Sequence, residues 1–346
     1  MTPSLRSQKD DSVVSGARKD RVRIAVVGSG PFGALHAETL MRNSDVELVA
    51  IVNHDVLRAR TLADKLGVKA AYESVEKLLD ATNVDGITVA TANAHHVAPS
   101  IAALQAGVSV LLEKPVAPTT AAAEQLLAAE RASTGFVFPA HLLRFAAPYQ
   151  ELKHRIELGD VGTPRAFSFR RHRNVDHDTR FSDTHPVLMT MIHDIDLALW
   201  CDGAQPVNVT AREVHVAGRS QPTVVWAEVE TSSGSLWSFQ VSWSLGGAQD
   251  TTSLPDALEI VGEDGTLSLR LDPRVYAHSA TSTTVDDVLT PSAAHGAMEQ
   301  ELRDFADAVR HGRPPTAVTL EEAVAGLHLA DRIIMAAATG EATEAR

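Results

Sequence analysis

The chain carries an anion-binding pattern near its start. The pattern is G-x-G-x-x-G, with glycines at Gly28, Gly30 and Gly33 and with Pro31 and Phe32 between the last two. Between a strand and a helix, the first glycine permits a tight turn, the second lets backbone amides approach a pyrophosphate, and the third lets the helix lie close to the strand. The N-terminus of that helix adds unpaired N–H groups and partial positive charge. Because such a triplet alone is equally typical of a plain glycine turn, its surroundings decide.

Those surroundings have the required order of a strand, a turn and a helix. Val22–Val27 is a β-branched run that stops at Gly28, and the segment after Gly33 has helical composition. A second strand signal, Val46–Val52, ends about twenty residues further on, as in dinucleotide-binding units. The sequence therefore predicts a dinucleotide site.

The residue after the second strand bears on the choice of dinucleotide. NAD sites usually have an acidic residue there, whereas this chain has Asn53, followed by His54 and, one turn later, Arg58. A neutral side chain repels a 2′-phosphate less than a carboxylate does, and the two basic residues are candidates to bind it. The pattern favours NADP and leaves NAD open, since an arginine on an exposed helix is also ordinary surface charge.

A second group of polar residues follows the next two predicted strands, Gly86–Ala90 and Val108–Leu112. Ligands of open α/β sheets bind at the carboxyl ends of the strands, so this group should face the dinucleotide. We expect Lys114, a partly desolvated ammonium, to donate a hydrogen bond to the reacting oxygen and stabilise its negative charge. The residues predicted to bind the cofactor here are Thr91, Asn93, His96, Glu113 and Lys114.

These motifs resemble those of the Gfo/Idh/MocA family (glucose-fructose oxidoreductase and inositol dehydrogenase), from about Arg21 to near the C-terminus. The most specific mark is Glu113-Lys114-Pro115. Matching stretches occur in the same order at Ala106-Gly107-Val108, Arg144-Phe145, Gly159-Asp160-Val161-Gly162, His193-Asp194-Ile195-Asp196, Phe305 and Gly312-Arg313-Pro314. The resemblance implies a nucleotide-binding domain, a second domain built on a large open sheet, and dimers or tetramers formed by face-to-face packing of such sheets. It also implies a cis Lys114–Pro115 bond and oxidation or reduction of a secondary hydroxyl of a sugar, cyclitol or sugar nucleotide.

The resemblance assigns the proton-handling role to His193, which matches the histidine of the family pattern Asp-x-x-x-His-x-x-Asp. Histidine suits this role because its ordinary pKa is about 6.5. Asp196 follows one turn later, but the first Asp of the pattern is Met189 here. His185 lies eight residues before His193 and is equally consistent with an ordinary, partly buried histidine.

Arginines around these positions suggest recognition of an anionic or polyhydroxylated molecule. Arg171 opens a dense polar run that ends at Arg180, a run that is also typical of a solvated loop. The predicted substrate-binding set is Lys114, Arg144, Arg171, His185, Met189 and His193. The spacing of His and Asp residues matches no zinc pattern, so no metal site is predicted.

The predicted fold class is α/β with two domains. Residues 21–139, in which strands and helices alternate, form a Rossmann dinucleotide-binding domain with a parallel sheet. Residues 140–346 form an α+β substrate-binding and oligomerisation domain with a large, mostly antiparallel open sheet, closed by helices at Met298–His311 and Leu320–Ala338. Residues 1–20 are predicted to be a disordered tail.

Composition excludes several classes of function. With 31 basic and 44 acidic residues the net charge is −13, which disfavours nucleic acid as a partner. No apolar stretch reaches the ~20 residues that a membrane span requires. The single cysteine, Cys201, allows neither an internal disulfide nor a cysteine metal cluster, and is typical of a cytoplasmic protein.

The sequence therefore predicts an NAD(P)-dependent oxidoreductase that moves hydride to or from a secondary hydroxyl or ketone of a carbohydrate-like molecule. Lys114 polarises the oxygen and His193 handles the proton. Two alternatives stay open: a non-catalytic, nucleotide-binding regulator of the same fold, prompted by Met189, and a reductase of a non-sugar substrate such as an imine or a dihydrodiol.

Overall fold

The computed structural model describes residues 21–245, 256–271 and 291–344. The predicted disordered tail, residues 1–20, lies outside the described residues.

Six strands form a parallel sheet in the first part of the chain. They lie in the order β3-β2-β1-β4-β5-β6, the arrangement of a dinucleotide-binding Rossmann fold, which confirms the predicted fold class. The strands are β1 (Val22–Val27), β2 (Val46–Val52), β3 (Ala70–Tyr72), β4 (Gly86–Val89), β5 (Ser109–Glu113) and β6 (Val137–Ala140).

Five α-helices connect these strands, and local sequence sets several of their ends. Asp55, Ser74 and Thr119 each accept a backbone hydrogen bond as N-cap residues, and Gly67 ends the second helix in the left-handed conformation. The helices are α1 (Pro31–Arg42), α2 (Val56–Leu66), α3 (Val75–Ala81), α4 (Val97–Gln105) and α5 (Thr120–Arg131).

In the part of the chain that the structure describes, the second sheet has seven strands, in the order β12-β11-β7-β10-β9-β8-β13. Its described pairs are antiparallel except β7 with β10, which run parallel. The mostly antiparallel sheet confirms the prediction. No local sequence signal predicts the parallel pair. The strands are β7 (Pro164–Asn174), β8 (Pro206–Val214), β9 (Val224–Thr231), β10 (Leu236–Leu245), β11 (Asp256–Gly262), β12 (Thr266–Leu271) and β13 (Thr343–Glu344).

Helices cover one face of this sheet and leave the other uncovered among the described residues. Buried and exposed residues alternate along β9, as expected for a sheet with one packed face. The covering helices contribute Ile195 and Ile333 to the core beneath the sheet. The helices of this part are α6 (Ala147–Glu157), α7 (Asp176–Arg180), α8 (Ile192–Asp202), α9 (Pro291–His311) and α10 (Leu320–Thr339), with a π-helical turn, Val187–Met191, leading directly into α8.

The last two helices also complete the core of the first sheet. Leu302 and Phe305 of α9 pack with residues of β1 and β6, and the ring of Phe305 meets that of Phe138 edge-on at 5.9 Å between centroids. Leu320 and Val324 of α10 pack on the opposite side of the same sheet. The chain thus returns from the second sheet to the first. The boundary between residues 139 and 140 falls within β6 and stays a prediction.

None of the helices in the described part of the chain is both long enough and apolar enough to cross a membrane.

Candidate active site

The glycine loop has the geometry of a phosphate cradle. A Cβ atom on Gly28, whose φ is +111°, would lie 2.3 Å from the carbonyl oxygen of Ala90, and one on Gly33 would lie 2.0 Å from that of Gly28. Both positions therefore exclude a side chain. Gly30 differs, because a Cβ there would meet no protein atom within 4 Å. Gly30 is the N-cap residue of α1, and no side chain caps the N–H groups of the first turn. These N–H groups therefore face open space, in which a pyrophosphate can accept their hydrogen bonds.

The neighbouring residues extend this cradle along the sheet edge. Asn53 donates from Nδ2 to Ser29 Oγ at 2.8 Å, which ties the end of β2 to the glycine loop. Asp55 caps α2, and its carboxylate lies 3.5 Å from Nε of Arg58. His54 and Arg58 are exposed, and Phe32 in the loop is half exposed. Pro31 is the first residue of α1, where its missing N–H costs no hydrogen bond.

Thr91, Asn93 and His96 follow β4, at the same edge of the sheet. The Thr91 hydroxyl donates to backbone carbonyls of Ala92 and His95. His96 is buried, and its Nδ1 and Nε2 lie 2.8 Å and 3.1 Å from the carbonyl oxygens of Pro115 and Thr91. Both ring nitrogens therefore contact the backbone, so the geometry favours a role in joining the ends of β4 and β5. Direct binding of cofactor by His96 stays a prediction.

Lys114 lies just past the end of β5 and faces the second half of the molecule. Its peptide bond to Pro115 is cis, as the resemblance implied. Nζ donates a hydrogen bond to the carbonyl oxygen of Met189 at 2.9 Å. Burial lowers the pKa of Lys114 to about 8, a shift that Glu113 opposes and that the charges of Arg171 and Arg173 increase.

His193 stands in the first turn of α8, one turn after Met189. Burial, followed by the charges of Lys114 and Arg171, holds the pKa of His193 well below its usual value. Both effects favour the neutral form of His193 at pH 7. A neutral imidazole has a free nitrogen that can accept a proton.

His185 lies before the π-helical turn and faces a strand of the second sheet. Its Nε2 is 3.3 Å from Glu213 Oε2, and its Nδ1 accepts a hydrogen bond from the backbone N–H of Val187 at 3.2 Å. Both ring nitrogens thus have partners in the protein, and binding of substrate by His185 stays a prediction.

Two predicted substrate-binding arginines, Arg144 and Arg171, are buried and held by carboxylates. Arg144 donates to both carboxylate oxygens of Asp196, with the shortest distance 2.7 Å. Arg171 donates to Asp194 at 2.8 Å and to Asp256 at 2.6 Å. Nη1 of Arg144 also donates to the carbonyl oxygen of Ala317 and to Glu322, and Nη2 of Arg171 donates to the hydroxyl of Tyr149. This geometry favours a positioning role, and substrate contact by either arginine stays a prediction.

Comparison with known proteins identifies the family. A family model described as an oxidoreductase family with an NAD-binding Rossmann fold, GFO_IDH_MocA, matches residues 22–141, and the GFO/IDH/MocA C-terminal domain model matches residues 149–268. The chain belongs to the Gfo/Idh/MocA family of oxidoreductases. Inositol 2-dehydrogenase 2 of Saccharopolyspora erythraea is 31% identical over 72% of this chain and 73% of its own length.

Solved structures share the fold of this Gfo/Idh/MocA protein. Myo-inositol 2-dehydrogenase of Lactobacillus plantarum superposes with a TM-score of 0.84 at 22% identity, over 94% of this chain and 100% of that one. Scyllo-inositol dehydrogenase of Lactobacillus casei, solved with NAD(H) and scyllo-inositol bound, gives a TM-score of 0.83 at 17% identity over 94% and 99% of the two chains.

Three buried residues of this family member lie near Lys114 or its neighbours and were not predicted from sequence. His36 of α1 contacts Glu113, His141 follows β6 with Nδ1 at 3.4 Å from Asp196, and Glu301 lies on α9. The charge of Lys114 acts on His141, and that of Glu113 acts on Glu301. Single residues on different elements make no spacing pattern, so only the fold brings them together. For His36 and Glu301, the available sequence signal was a polar residue at a core position of an otherwise apolar helix face.

Proposed function

We propose that this protein is an NAD(P)-dependent dehydrogenase that oxidises a secondary hydroxyl of a cyclitol or sugar to a ketone and catalyses the reverse reduction. The observation that carries the proposal is the contact of Lys114 with the backbone of Met189. It joins the edge of the dinucleotide-binding sheet to the helix that presents His193.

The substrate class rests on the family and on the polar character of the site. The relatives described above are named as inositol dehydrogenases, and one of their structures holds scyllo-inositol. A polyhydroxylated ring needs several hydrogen-bond partners, and Lys114 and His193 provide one donor and one acceptor at the reacting carbon.

The proposed reaction balances one hydride against one proton. A dinucleotide held at the glycine loop would supply the acceptor for the hydride that leaves the carbinol carbon. Lys114, as the ammonium, donates a hydrogen bond to the substrate oxygen and stabilises the negative charge that develops as the O–H bond weakens. His193 accepts the hydroxyl proton, which leaves a ketone and an imidazolium. In the reverse direction, His193 returns the proton to the oxygen.

We further propose that the site accepts NADP as well as NAD. Asn53 brings no negative charge to the adenosine end, which supports binding of a 2′-phosphate. Asp55, which caps α2 and pairs with Arg58, opposes a strict preference for NADP. Dissociation constants for NADPH and NADH within about tenfold of each other would support this balance.

The uncovered face of the second sheet supports assembly into a homodimer or homotetramer. Across the strands runs a basic row, in which Arg212, Arg170 and Arg270 are exposed. An acidic row, which includes Glu228 and Glu259, runs beside the basic row and is offset from it by two residues along each strand. A two-fold axis can place the basic row of one copy against the acidic row of another, which makes the surface self-complementary. Cytoplasmic localisation stays a prediction that rests on the single cysteine.

Turnover assays test the proposed function directly. Purified protein is incubated with myo-inositol, scyllo-inositol and a panel of sugars, with NAD+ or NADP+, while absorbance at the reduced nicotinamide band is followed. We expect turnover on at least one polyol. Dinucleotide binding without turnover on any polyol, imine or dihydrodiol would favour a non-catalytic regulator, and turnover on an imine or dihydrodiol alone would move the protein to another substrate class.

A further inference from the structure

The carboxyl groups of Glu113 and Glu301 are buried on the side of the first sheet that α1 and α9 cover. Glu113 ends β5, and Glu301 lies on α9, which packs against α1. His36 of α1 is fully buried and places Nε2 3.1 Å from Glu113 Oε1. The other oxygen of Glu113 accepts a hydrogen bond from the backbone N–H of Lys114 at 3.2 Å.

The two carboxyl groups have different surroundings. Both oxygens of Glu301 are buried without a hydrogen-bond partner among the described residues, beside the apolar side chains of Leu302 and Phe305. Burial raises the pKa of Glu301 well above its usual value, and the charges of Glu113 and Asp304 raise it further. For Glu113, burial also opposes ionisation, but the hydrogen bond and charge of His36 and the charge of Lys114 together hold its pKa below the usual value.

Neighbouring buried carboxylates repel each other, so one of such a pair ionises much more readily than the other. We propose that His36 determines which of the two carries the negative charge: it selects Glu113, leaves Glu301 neutral, and so keeps a counter-charge beside Lys114. His36 is then a positioning residue that acts on the reaction through Glu113. This inference rests on the proposed function, in which the charge of Lys114 is required.

The counter-charge matters because, among the residues that the structure describes, the other charged groups that act on Lys114 do not supply one. Arg171 and Arg173 of β7 are cationic and disfavour the ammonium. The imidazoles of His96, His141 and His193 are also close enough for Lys114 to act on them, and burial keeps the pKa of each below its usual value. Glu113 is the anionic group that favours the charged form of Lys114. Loss of the Glu113 charge should therefore move the titration of Lys114 to lower pH.

Four variants separate this role from a merely structural one. His36→Leu removes the hydrogen bond, whereas His36→Gln retains a donor near the position of Nε2. Glu113→Gln removes the negative charge directly. Glu301→Gln is the matched control, because it replaces a neutral carboxyl group with a neutral amide of the same shape. The readout is the rate of Lys114 acetylation by acetic anhydride as a function of pH, measured by mass spectrometry, which requires no turnover.

We expect His36→Leu and Glu113→Gln each to shift the midpoint of Lys114 acetylation to lower pH by about one pH unit. His36→Gln should keep the midpoint close to that of the wild type, and Glu301→Gln should leave the midpoint unchanged. An unchanged midpoint in either His36→Leu or Glu113→Gln would overturn the proposal, as would an equal shift in Glu301→Gln. If His36→Leu does not fold, His36→Met takes its place, with the same expected shift. Because acetylation reports on Lys114 without substrate, failure of the proposed function would appear separately, as absence of turnover in the wild-type protein.

Discussion

The ammonium of Lys114 lies 2.9 Å from the carbonyl oxygen of Met189, although the two residues are 75 positions apart in the chain. Lys114 follows a strand of the first sheet, and Met189 belongs to the π-helical turn that leads into α8. The contact joins the edge of the first sheet to the segment that leads into α8. Met189 therefore contacts Lys114 through its backbone carbonyl and not through its side chain. The π-helical turn to which it belongs is a feature often found at functional sites.

Substitution of Lys114 should remove catalysis while leaving the dinucleotide bound. For Lys114→Met we expect kcat to fall by about 10²- to 10⁴-fold, because the charge that stabilises the reacting oxygen is lost. Titration of protein fluorescence with NADH should give a dissociation constant close to that of the wild type. A variant with undiminished kcat would remove Lys114 from the mechanism.

The pH dependence of turnover should carry the signature of Lys114. Because its pKa is lowered to about 8, the ammonium is present at pH 7 and is lost as the pH rises through 8. We expect kcat/KM for oxidation to decrease above about pH 8, by tenfold per pH unit for a single required proton. In Lys114→Arg the plateau should be lower, and this decrease should disappear from the measured range, since arginine stays charged. A decrease that persists unchanged in Lys114→Arg would assign it to another group.

The two glycines of the loop offer a matched pair of substitutions. A methyl group on Gly30 would enter open space, so Gly30→Ala should keep the stability of the wild type and weaken dinucleotide binding by about tenfold or more. A methyl group on Gly33 would collide with the carbonyl of Gly28, so Gly33→Ala should lower the free energy of unfolding by about 2 kcal/mol or more. Urea denaturation and NADH titration measure both effects. Unaltered NADH binding by Gly30→Ala would exclude the open space as the pyrophosphate site.

Replacement of Arg144 should lower the stability of the protein more than it weakens recognition of the substrate. Its guanidinium is buried against Asp196, so Arg144→Met leaves an uncompensated carboxylate and should cost about 3–5 kcal/mol in the free energy of unfolding. Arg303→Ala, which breaks an exposed pair with Glu299, is the control and should cost less than about 1 kcal/mol. Chemical denaturation provides the comparison. A stable Arg144→Met protein with a strongly raised KM would instead support substrate binding by Arg144.

Charge reversal on the uncovered sheet face should separate the subunits. Arg170 lies in the middle of the basic row, so Arg170→Glu places like charges opposite each other in a two-fold assembly. Sedimentation velocity should show a shift towards monomer, while Arg303→Glu on α9 should leave the assembly intact. A wild-type protein that sediments as a monomer at high concentration would contradict the proposed interface.

The elements that could be predicted are those with a short-range sequence pattern. The glycine loop and the strands that end at Val27 and Val52 have short-range signals, and the structure has them at the predicted places. The family motif correctly implied the cis bond after Lys114.

Relations between distant residues could not be predicted in this way. The parallel pairing of β7 with β10 depends on long-range topology, and the partners of Arg171 come from three different elements. The motif around His193 gave no indication of the π-helical turn, Val187–Met191, that precedes it. His36 and Glu301 lie on helices that are far apart in the chain, so only the packing of α1 against α9 relates them.

The packing of α9 and α10 against the first sheet has a consequence for how the protein is made. Leu302, Phe305 and Val324 belong to the apolar interior of the nucleotide-binding half, although they are encoded almost at the end of the chain. A fragment that stops after β6 would leave that interior open to water, and a ribosome must synthesise the chain past Val324 before the first half can close.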